Sequence, residues 1–167
     1  MMFVIIREAK IDDLPDMLDI YNDAVRTLTA TFDIEEQSLE ERRGWYQSHS
    51  ERYPLIVAES DGKVVGYCSL SKYREKKAYI HSVELSIYIS KDYRRKGIGT
   101  RLMKEIIARA QKLKYHTIIS GITGGNGGSQ ALHEKFGFSY IGCFREVGFK
   151  FGKWQDVHFY QLIVDRN

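Results

Sequence analysis

The chain has 167 residues, of which 43% are hydrophobic and 28% are charged, and its formal net charge is +3. This length and composition are typical of one ordinary globular domain with a sizeable core, and they exclude a disordered or fibrous chain. Because the net charge is small and most cations are interleaved with acidic residues, a nucleic-acid partner is not expected.

The N-terminal region and the cysteines favour a reducing setting away from membranes. Met1 to Ile6 is apolar but short and lacks a small-residue cleavage site, and no apolar run approaches the length of a membrane span. Cys68 and Cys143 lie far apart, without a Cys-x-x-Cys motif or a Cys/His cluster, so neither a disulfide scaffold nor a zinc site is indicated. We therefore expect a cytoplasmic protein without a metal.

The first segment predicts a strand followed by two helices. Phe3 to Ile6 is the candidate strand, and Asp12 and Asp13 are candidate caps of the first helix. The apolar residues of this helix recur at helical spacing and are Leu14, Met17, Leu18, Tyr21 and Val25. Ser38 and Glu41 have the spacing of a capping box, which predicts a second helix through about residue 49.

The rest of the chain predicts six strands and two helices. Asp61 and Gly62 between two β-branched runs indicate a hairpin, and Gly137 is a candidate left-handed helix cap. The strands are expected at 56–59, 64–70, 83–89, 117–122, 139–149 and 154–164. The helices are expected at 98–113 and 130–136, the second after a flexible glycine-rich loop at 124–129. The order β-α-α-β-β-β-α-β-α-β-β indicates one mixed α/β domain over residues 1–167.

A cationic, glycine-containing turn separates the strand at 83–89 from the helix that follows it. Its residues are Arg94, Arg95, Lys96, Gly97, Ile98, Gly99 and Thr100. The first turn of a helix has backbone N–H groups without internal partners, and glycine lets an anion approach them. The turn is therefore a candidate diphosphate site, with the cations at its rim. Alternatively, the glycines only shape a tight turn and the cations are solvated.

This turn resembles the Arg-x-x-Gly-x-Gly acetyl-CoA signature of the GNAT superfamily of N-acetyltransferases. Six further blocks, in order and spread over nearly the whole chain, resemble its phosphinothricin N-acetyltransferase branch. They are Thr29–Phe32, Arg52–Pro54, Val64–Tyr67, Val83–Tyr88, Leu132–Phe138 and Arg145–Gly152. The resemblance implies a central, mostly antiparallel twisted sheet flanked by helices, acetyl-CoA as co-substrate and a homodimer. It also implies acetylation of the α-amino group of small amino-acid-like compounds, such as phosphinothricin and methionine sulfoximine or sulfone.

Glu84 is a lone carboxylate in an apolar and hydroxylic strand. Alternation places Glu84, Ser86 and Tyr88 on one face, and a buried carboxylate is costly unless it is paired or used. An amino-acid amine must lose a proton before it attacks a thioester, so Glu84 is a candidate general base, directly or through water. The resemblance implies the same role. The alternative is that Glu84 faces solvent or pairs with a Lys or Arg.

His133 is a second catalytic candidate. Many GNAT enzymes have at this position a tyrosine thought to protonate the departing CoA thiolate, whereas this chain has a histidine. Histidine can act as an acid near neutral pH, but it can also serve only as a hydrogen-bonding group within the site. Tyr88 and Tyr140 are substitutes for the acid role.

The resemblance further implies residues that contact the two substrates. For the thioester and pantetheine these are Ile87, Tyr88 and Ile89 through backbone N–H groups, with Asn126, Ser129 and Lys135. Asn126 or Ser129 is alternatively a helix N-cap. For the acceptor they are Phe32, Lys72, Arg74 and Tyr79, and an arginine suits an amino-acid carboxylate. The alternative for the charged stretch after residue 71 is an exposed loop.

The other candidates have structural interpretations. Four aromatic residues near the end of the chain are expected in the core or in a dimer contact, and they are Phe149, Phe151, Trp154 and Phe159. Cys68 and Cys143 are interpreted as small core residues, since no basic neighbour that would activate a thiolate is visible. The resulting hypothesis is an acetyl-CoA-dependent N-acetyltransferase that works by direct attack. The alternatives are a non-catalytic acyl-CoA-binding module and an enzyme acting on a protein amine.

Overall fold

The computed structural model describes residues 2–166, in which seven strands form one sheet. The strands are β1 (Val4–Glu8), β2 (Leu55–Ser60), β3 (Lys63–Lys72), β4 (Ser82–Ile89), β5 (Thr117–Thr123), β6 (Ser139–Lys150) and β7 (Lys153–Ile163). Their spatial order is β1-β2-β3-β4-β5-β7-β6, and every neighbouring pair is antiparallel except β4 with β5. The predicted mostly antiparallel sheet is confirmed.

Four α-helices within the described residues cover the two faces of this sheet. They are α1 (Leu14–Thr27), α2 (Leu39–Gln47), α3 (Ile98–Lys112) and α4 (Gly127–Lys135). Met17 of α1 packs with Tyr67 of β3 in one apolar cluster, while Leu102 of α3 packs with Cys68 in the other. Since adjacent strand residues point to opposite faces, the sheet lies between two helical layers. The predicted mixed α/β class and element order are confirmed.

The two predicted helix starts differ in outcome. Ser38 and Glu41 form the capping box at the start of α2, with Glu41 N donating to Ser38 Oγ at 3.1 Å and Ser38 N to Glu41 Oε1 at 3.1 Å. Asp13 occupies the N-cap position of α1, as predicted, but its side chain makes no capping hydrogen bond. Its carboxylate accepts two hydrogen bonds from Arg7 and one from Lys10 N, so it is engaged by the preceding strand and turn.

Helix α4 begins at Gly127, three residues earlier than predicted. The Asn126 side chain accepts a hydrogen bond from Ser129 N at 3.4 Å, which caps the helix and draws the last glycines of the expected loop into its first turn. The expected left-handed cap is confirmed, because Gly137 has a φ of 88°.

The core differs from prediction in the last two strands. Cys68 is fully buried, but Cys143 on β6 is only half-buried, because β6 is the outermost strand of the sheet. Phe149, Phe151 and Trp154 are also outside the core of this chain, with 57%, 52% and 63% of their surfaces exposed. Their second predicted role, as dimer contacts, stays a prediction.

Candidate active site

The sheet splits between its two central parallel strands. β4 and β5 are paired only from Ser82 with Thr117 to Glu84 with Ile119, although β4 continues to Ile89. Beyond the split, alternate N–H and C=O groups of β4 on the β5 side have no strand partner. The gap is a cleft bordered by Ala30, Leu85, Ser86, Ile87, Tyr88, Ser120, Gly121, Ile122, Thr123, Asn126, Ser129 and His133. It brings four cofactor candidates, which are Ile87, Tyr88, Asn126 and Ser129, to His133.

The glycine turn leads from the end of β4 into α3. Gly97 is the N-cap and has a φ of 82°, a left-handed conformation that favours glycine. Arg95 also has a positive φ, of 61°, and Arg94 Nε donates to Ile89 O at 3.1 Å. The Ile98 side chain is buried in the core, so this residue can offer only its backbone N–H to a ligand. The arrangement exposes the positive end of α3 near the end of β4, where Arg94 contacts Ile89.

Close packing between α3 and α4 accounts for the second glycine. A Cβ at Gly99 would lie 3.2 Å from Leu132 Cδ2, so a side chain there would require Leu132 to shift by a few tenths of an ångström. The same approach brings Lys135 of α4 to α3, where its Nζ donates to Thr100 Oγ1 at 3.4 Å. Free amides at a helix start, with three consecutive cations in the turn before it, suit a diphosphate. Unpaired strand amides suit an extended amide-containing arm.

Glu84 lies at the point where β4 and β5 separate. The carboxylate is half-buried, and no residue in the range 2–166 forms an ion pair or a hydrogen bond with it. Burial raises the pKa of Glu84 above its ordinary value, and the positive charge of Arg74 partly opposes this shift. A half-buried, unpaired carboxylate with a raised pKa can accept a proton from an ammonium group.

Tyr73, Arg74 and Tyr79, in the segment after β3, form one cluster, and Arg74 lies close enough to Glu84 to influence its pKa. The Arg74 guanidinium stacks on Tyr73 at 4.3 Å from the ring centroid, and the rings of Tyr73 and Tyr79 meet edge to face at 5.5 Å. Lys72 is not part of this cluster. Alternation along β3 turns it to the opposite face from Ser71 and Glu84, and its Nζ lies 3.4 Å from Glu75 Oε2.

His133 is buried in the cleft wall, with 1% of its surface exposed. Nδ1 lies 2.7 Å from the Ser129 carbonyl and donates to it, while Nε2 lies 2.8 Å from the Ser120 hydroxyl. With the proton on Nδ1, Nε2 accepts from that hydroxyl. Burial lowers the pKa of His133, and the bond to Ser129 partly opposes this shift. The imidazole is therefore neutral at neutral pH, and both of its nitrogens form hydrogen bonds.

The two tyrosines considered for the acid role lie in different surroundings. The Tyr88 hydroxyl donates to Ala30 O at 3.2 Å, and burial raises the pKa of its phenol. Tyr140 is 53% exposed on β6, where its hydroxyl lies 3.0 Å from His158 Nδ1. Cys68 offers no nucleophile, because burial raises the pKa of its thiol far above neutrality.

Several neighbours of the cleft were not singled out from the sequence. Ser120 holds His133, and Thr123 and Lys150 hold the loop that carries Phe32. The available signal for Ser120 was its place between Ile118 and Ile122 on the buried face of β5. A lone hydroxyl on an apolar face needs a partner.

Residues 2–166 contain neither a metal-binding cluster nor a membrane-spanning helix. No group of three or more His, Cys, Asp or Glu residues in this range is arranged to hold a metal ion. None of the helices in the same range combines the length and the apolar character that crossing a membrane requires.

The chain is similar to known N-acetyltransferases along most of its length. The chain is 38% identical over 162 residues to the L-methionine sulfoximine/L-methionine sulfone acetyltransferase of Pseudomonas aeruginosa, covering 96% of this chain and 94% of that one. It is 39% identical over 155 residues to the phosphinothricin N-acetyltransferase of Streptomyces coelicolor, covering 90% of each.

A solved structure shows the same fold with a bound ligand. The crystal structure of a GNAT superfamily phosphinothricin acetyltransferase from Sinorhizobium meliloti in complex with AcCoA superposes with a TM-score of 0.93 at 34% identity. The match covers 96% of this chain and 88% of that one. The family model described as Acetyltransferase (GNAT) family matches residues 16–138. The chain therefore belongs to the GNAT family of acetyltransferases.

Proposed function

We propose that this protein transfers the acetyl group of acetyl-CoA to the α-amino group of a small amino-acid-like acceptor. Phosphinothricin and methionine sulfoximine or sulfone define the acceptor class, since relatives named for these substrates match nearly the whole chain. The observation that carries the proposal is the unpaired, half-buried Glu84 at the split of the sheet, with Arg74 close enough to influence its pKa.

The proposed reaction is a direct attack in a ternary complex. Arg74 binds the acceptor carboxylate, and Glu84 removes one proton from the ammonium group, directly or through water. The amine nitrogen then attacks the thioester carbonyl, whose oxygen is stabilised by backbone N–H groups from Ile87 to Ile89. The C–S bond breaks, the nitrogen gives up its second proton, and the thiolate of coenzyme A takes up one, which leaves the N-acetylated acceptor and free coenzyme A.

The residues proposed to bind coenzyme A lie in the glycine turn that begins α3 and in or next to α4. The amides from Arg95 to Thr100 would bind the diphosphate, with Lys135 beside them, while Asn126 and Ser129 would contact pantetheine. For His133 we propose the hydrogen-bonding role rather than the acid role, because both nitrogens are engaged and the imidazole is neutral. Phe32 and Tyr79 are proposed walls of the acceptor site, whereas the outward-facing Lys72 remains the weakest candidate.

We also propose that the protein is a homodimer that uses β6 and β7. β6 is a 12-residue edge strand, and edge strands of this length expose unpaired backbone groups. Phe149 and Trp154 form an exposed cross-strand aromatic pair with ring centroids 5.0 Å apart, and Phe144, elsewhere on β6, is 62% exposed. A second copy that covers this surface would bury both the edge and the rings.

Two remaining expectations are kept as proposals. A cytoplasmic location is supported by the two free cysteines, and one domain over residues 1–167 is supported by the continuous sheet.

A thiol-release assay tests the proposed function. Purified protein with acetyl-CoA is given L-methionine sulfone, L-methionine sulfoximine, phosphinothricin or a short peptide with a free N-terminus. We expect free coenzyme A to appear with the amino-acid-like acceptors and not with the peptide. Binding of acetyl-CoA without acceptor-dependent release would instead support a non-catalytic module, and faster release with the peptide would support a protein acceptor.

A further inference from the structure

The loop between α1 and α2 passes beside the cleft without regular secondary structure. We call residues 28–33 the strap; Ala30 belongs to the cleft lining and Phe32 is a proposed wall of the acceptor site. The carbonyl groups of such a segment have no ladder partners and need other donors.

Side chains of three different strands supply those donors. Lys150 Nζ on β6 donates to Leu28 O and to Thr31 O, each at 2.8 Å. The other two bonds run from Thr123 Oγ1 on β5 to Thr29 O at 2.6 Å and from Tyr88 on β4 to Ala30 O at 3.2 Å. Four successive carbonyls are thus bound from both sides of the split, so the strap bridges the two halves of the sheet.

Lys150 is unusual among the lysines of this chain because it is buried. Only 3% of its surface is exposed, and burial lowers the pKa of its ammonium group, an effect that the charge of Asp33 partly opposes. No residue within 2–166 forms an ion pair with it. Since a buried ammonium is costly unless its donors are satisfied, the two strap carbonyls account for its stability in this position.

A second contact links β6 to the strap at Gly148, two residues before Lys150 in the chain. A Cβ at Gly148 would lie 2.5 Å from Cε2 and 2.7 Å from Cζ of Phe32, so the ring lies directly on the glycine backbone. Lys150 holds the strap just before this contact, through the carbonyls of Leu28 and Thr31. The position of the Phe32 ring therefore depends on the hydrogen bonds from Lys150 to the strap and on the absence of a side chain at Gly148.

We propose that Lys150 is a positioning residue that anchors the strap across the split sheet and thereby places Phe32 at the acceptor site. Gly148 provides the space into which the ring fits. The anchor is inferred from the hydrogen bonds alone, whereas its effect on the acceptor rests on the proposed function. Lys150 touches no reacting atom, so its removal should weaken acceptor binding and leave acetyl-CoA binding intact.

The kinetic test compares Lys150→Met with Lys153→Met, a matched control on an exposed lysine across the same hairpin. We expect Lys150→Met to raise the KM of the acceptor about tenfold or more, as misplacement of a positioning wall does, with the KM of acetyl-CoA within about twofold. Lys153→Met should change neither value. Equal loss for both substrates would overturn the proposal, because general damage to the fold has that signature.

Gly148→Ala gives an independent test that leaves the anchor in place. The added methyl group must displace the Phe32 ring, so the acceptor KM should again rise selectively. In a Phe32→Ala background, neither Gly148→Ala nor Lys150→Met should raise the acceptor KM further. Effects that persist undiminished without the ring would show that Phe32 does not transmit them.

Hydrogen–deuterium exchange tests the anchor without any turnover. Peptides that cover residues 28–38 should exchange faster in Lys150→Met than in the wild type or in Lys153→Met, while peptides from α3 keep their rates. Unchanged exchange in the strap would overturn the anchor. If the wild type acetylates no amino acid, the proposed function fails, and the exchange result still decides whether Lys150 holds the strap.

Discussion

Glu84 combines a raised pKa with the absence of an ion pair among the described residues, which is the environment expected of a general base rather than of a structural carboxylate. The burial that makes this carboxylate costly to the fold also raises its pKa and so makes it a better proton acceptor. A carboxylate that water or a cation stabilised fully would be a weaker base for the ammonium group of the acceptor.

We predict that Glu84→Gln lowers kcat by about 10²- to 10⁴-fold and leaves coenzyme A affinity nearly unchanged, because only the proton acceptor is removed. The wild type should lose kcat as the pH falls through the raised pKa of Glu84, and the variant should lack this limb. Steady-state kinetics across pH and calorimetric titration with coenzyme A measure both effects. A variant with unchanged kcat at every pH would remove Glu84 as the base.

Glu84→Gln should also be more stable than the wild type at pH 7. The raised pKa means that the folded chain binds this proton more tightly than the unfolded chain, so stability falls as pH rises through the pKa values of Glu84. The difference between variant and wild type should shrink on acidification to about pH 4, near the ordinary carboxyl pKa. Urea denaturation at the two pH values checks this sign.

His133 has the opposite linkage. Its pKa is lowered on folding, so the unfolded chain binds the proton more tightly and stability falls as pH drops from 6.5 towards the folded pKa. We predict a shallower loss of stability between pH 7 and pH 5 in His133→Asn than in the wild type, with the exposed His81→Asn as a surface control. Denaturation midpoints measured at both pH values decide the outcome, and parallel slopes in wild type and His133→Asn would contradict it.

The start of α3 illustrates how one element creates a site through its backbone. Gly97 has open space around a hypothetical Cβ but a φ of 82°, so a side chain there is strained without a steric clash. The strain acts on the turn that presents the helix amides.

We predict that Gly97→Val abolishes coenzyme A binding in calorimetric titration while the chain stays folded. The left-handed conformation costs a non-glycine residue about 1–2 kcal/mol, which the turn can relieve by moving its amides. Gly62→Val, at a φ of 78° in the β2–β3 hairpin, carries the same strain far from α3 and should retain binding. Equal affinity in both variants would show that the turn does not hold the cofactor.

Helix α2 is attached to the sheet by a buried cation. The Arg42 guanidinium, 3% exposed, lies 3.5 Å from the ring centroid of Trp45 and 4.0 Å from that of Tyr21, and it donates to the Tyr67 hydroxyl at 2.8 Å. Its Nε has no hydrogen-bond partner among the described residues. Aromatic faces thus take the place that a carboxylate usually has.

We predict that Arg42→Met and Tyr67→Phe each destabilise the chain by about 1–3 kcal/mol, because each leaves a buried polar partner unsatisfied. The double variant should lose less than the sum of the two, since it removes both partners together. Urea denaturation of the four proteins measures the coupling. Strict additivity would mean that the hydrogen bond contributes nothing.

The two edges of the sheet differ in what they leave exposed. β1 is a five-residue strand at one edge, whereas the outer edge is formed by the much longer β6 with its aromatic surface. A long apolar edge is a liability unless another chain covers it.

We predict that Trp154→Asp converts a dimer of this protein to a monomer, because a carboxylate cannot be buried unpaired in an aromatic interface. Sedimentation velocity measures the mass in solution. Phe3→Asp, at an exposed aromatic residue just before β1, should leave the dimer intact. A wild type that sediments as a monomer would refute the dimer itself.

The sequence by itself determined the order of the elements, the α2 capping box, the hairpin at Asp61 and the family, because these depend on local spacing and short blocks. Burial patterns were predictable where a strand is covered on both faces. Burial was less predictable on the edge strand β6, where Cys143 and the aromatic residues follow an apolar pattern typical of a buried strand.

Only the tertiary structure decided how the cleft is formed. The pairing of β4 with β5 ends after Glu84, although the residue alternation of both strands continues. A gap between two strands does not change the alternation of side chains along either strand, so the sequence does not reveal it. The anchor at Lys150 joins residues 119 and 122 positions apart, and the hydroxyl of Ser120 meets a histidine on another element. Such contacts depend on which surfaces the folded sheet brings together, so no local pattern of residues could specify them.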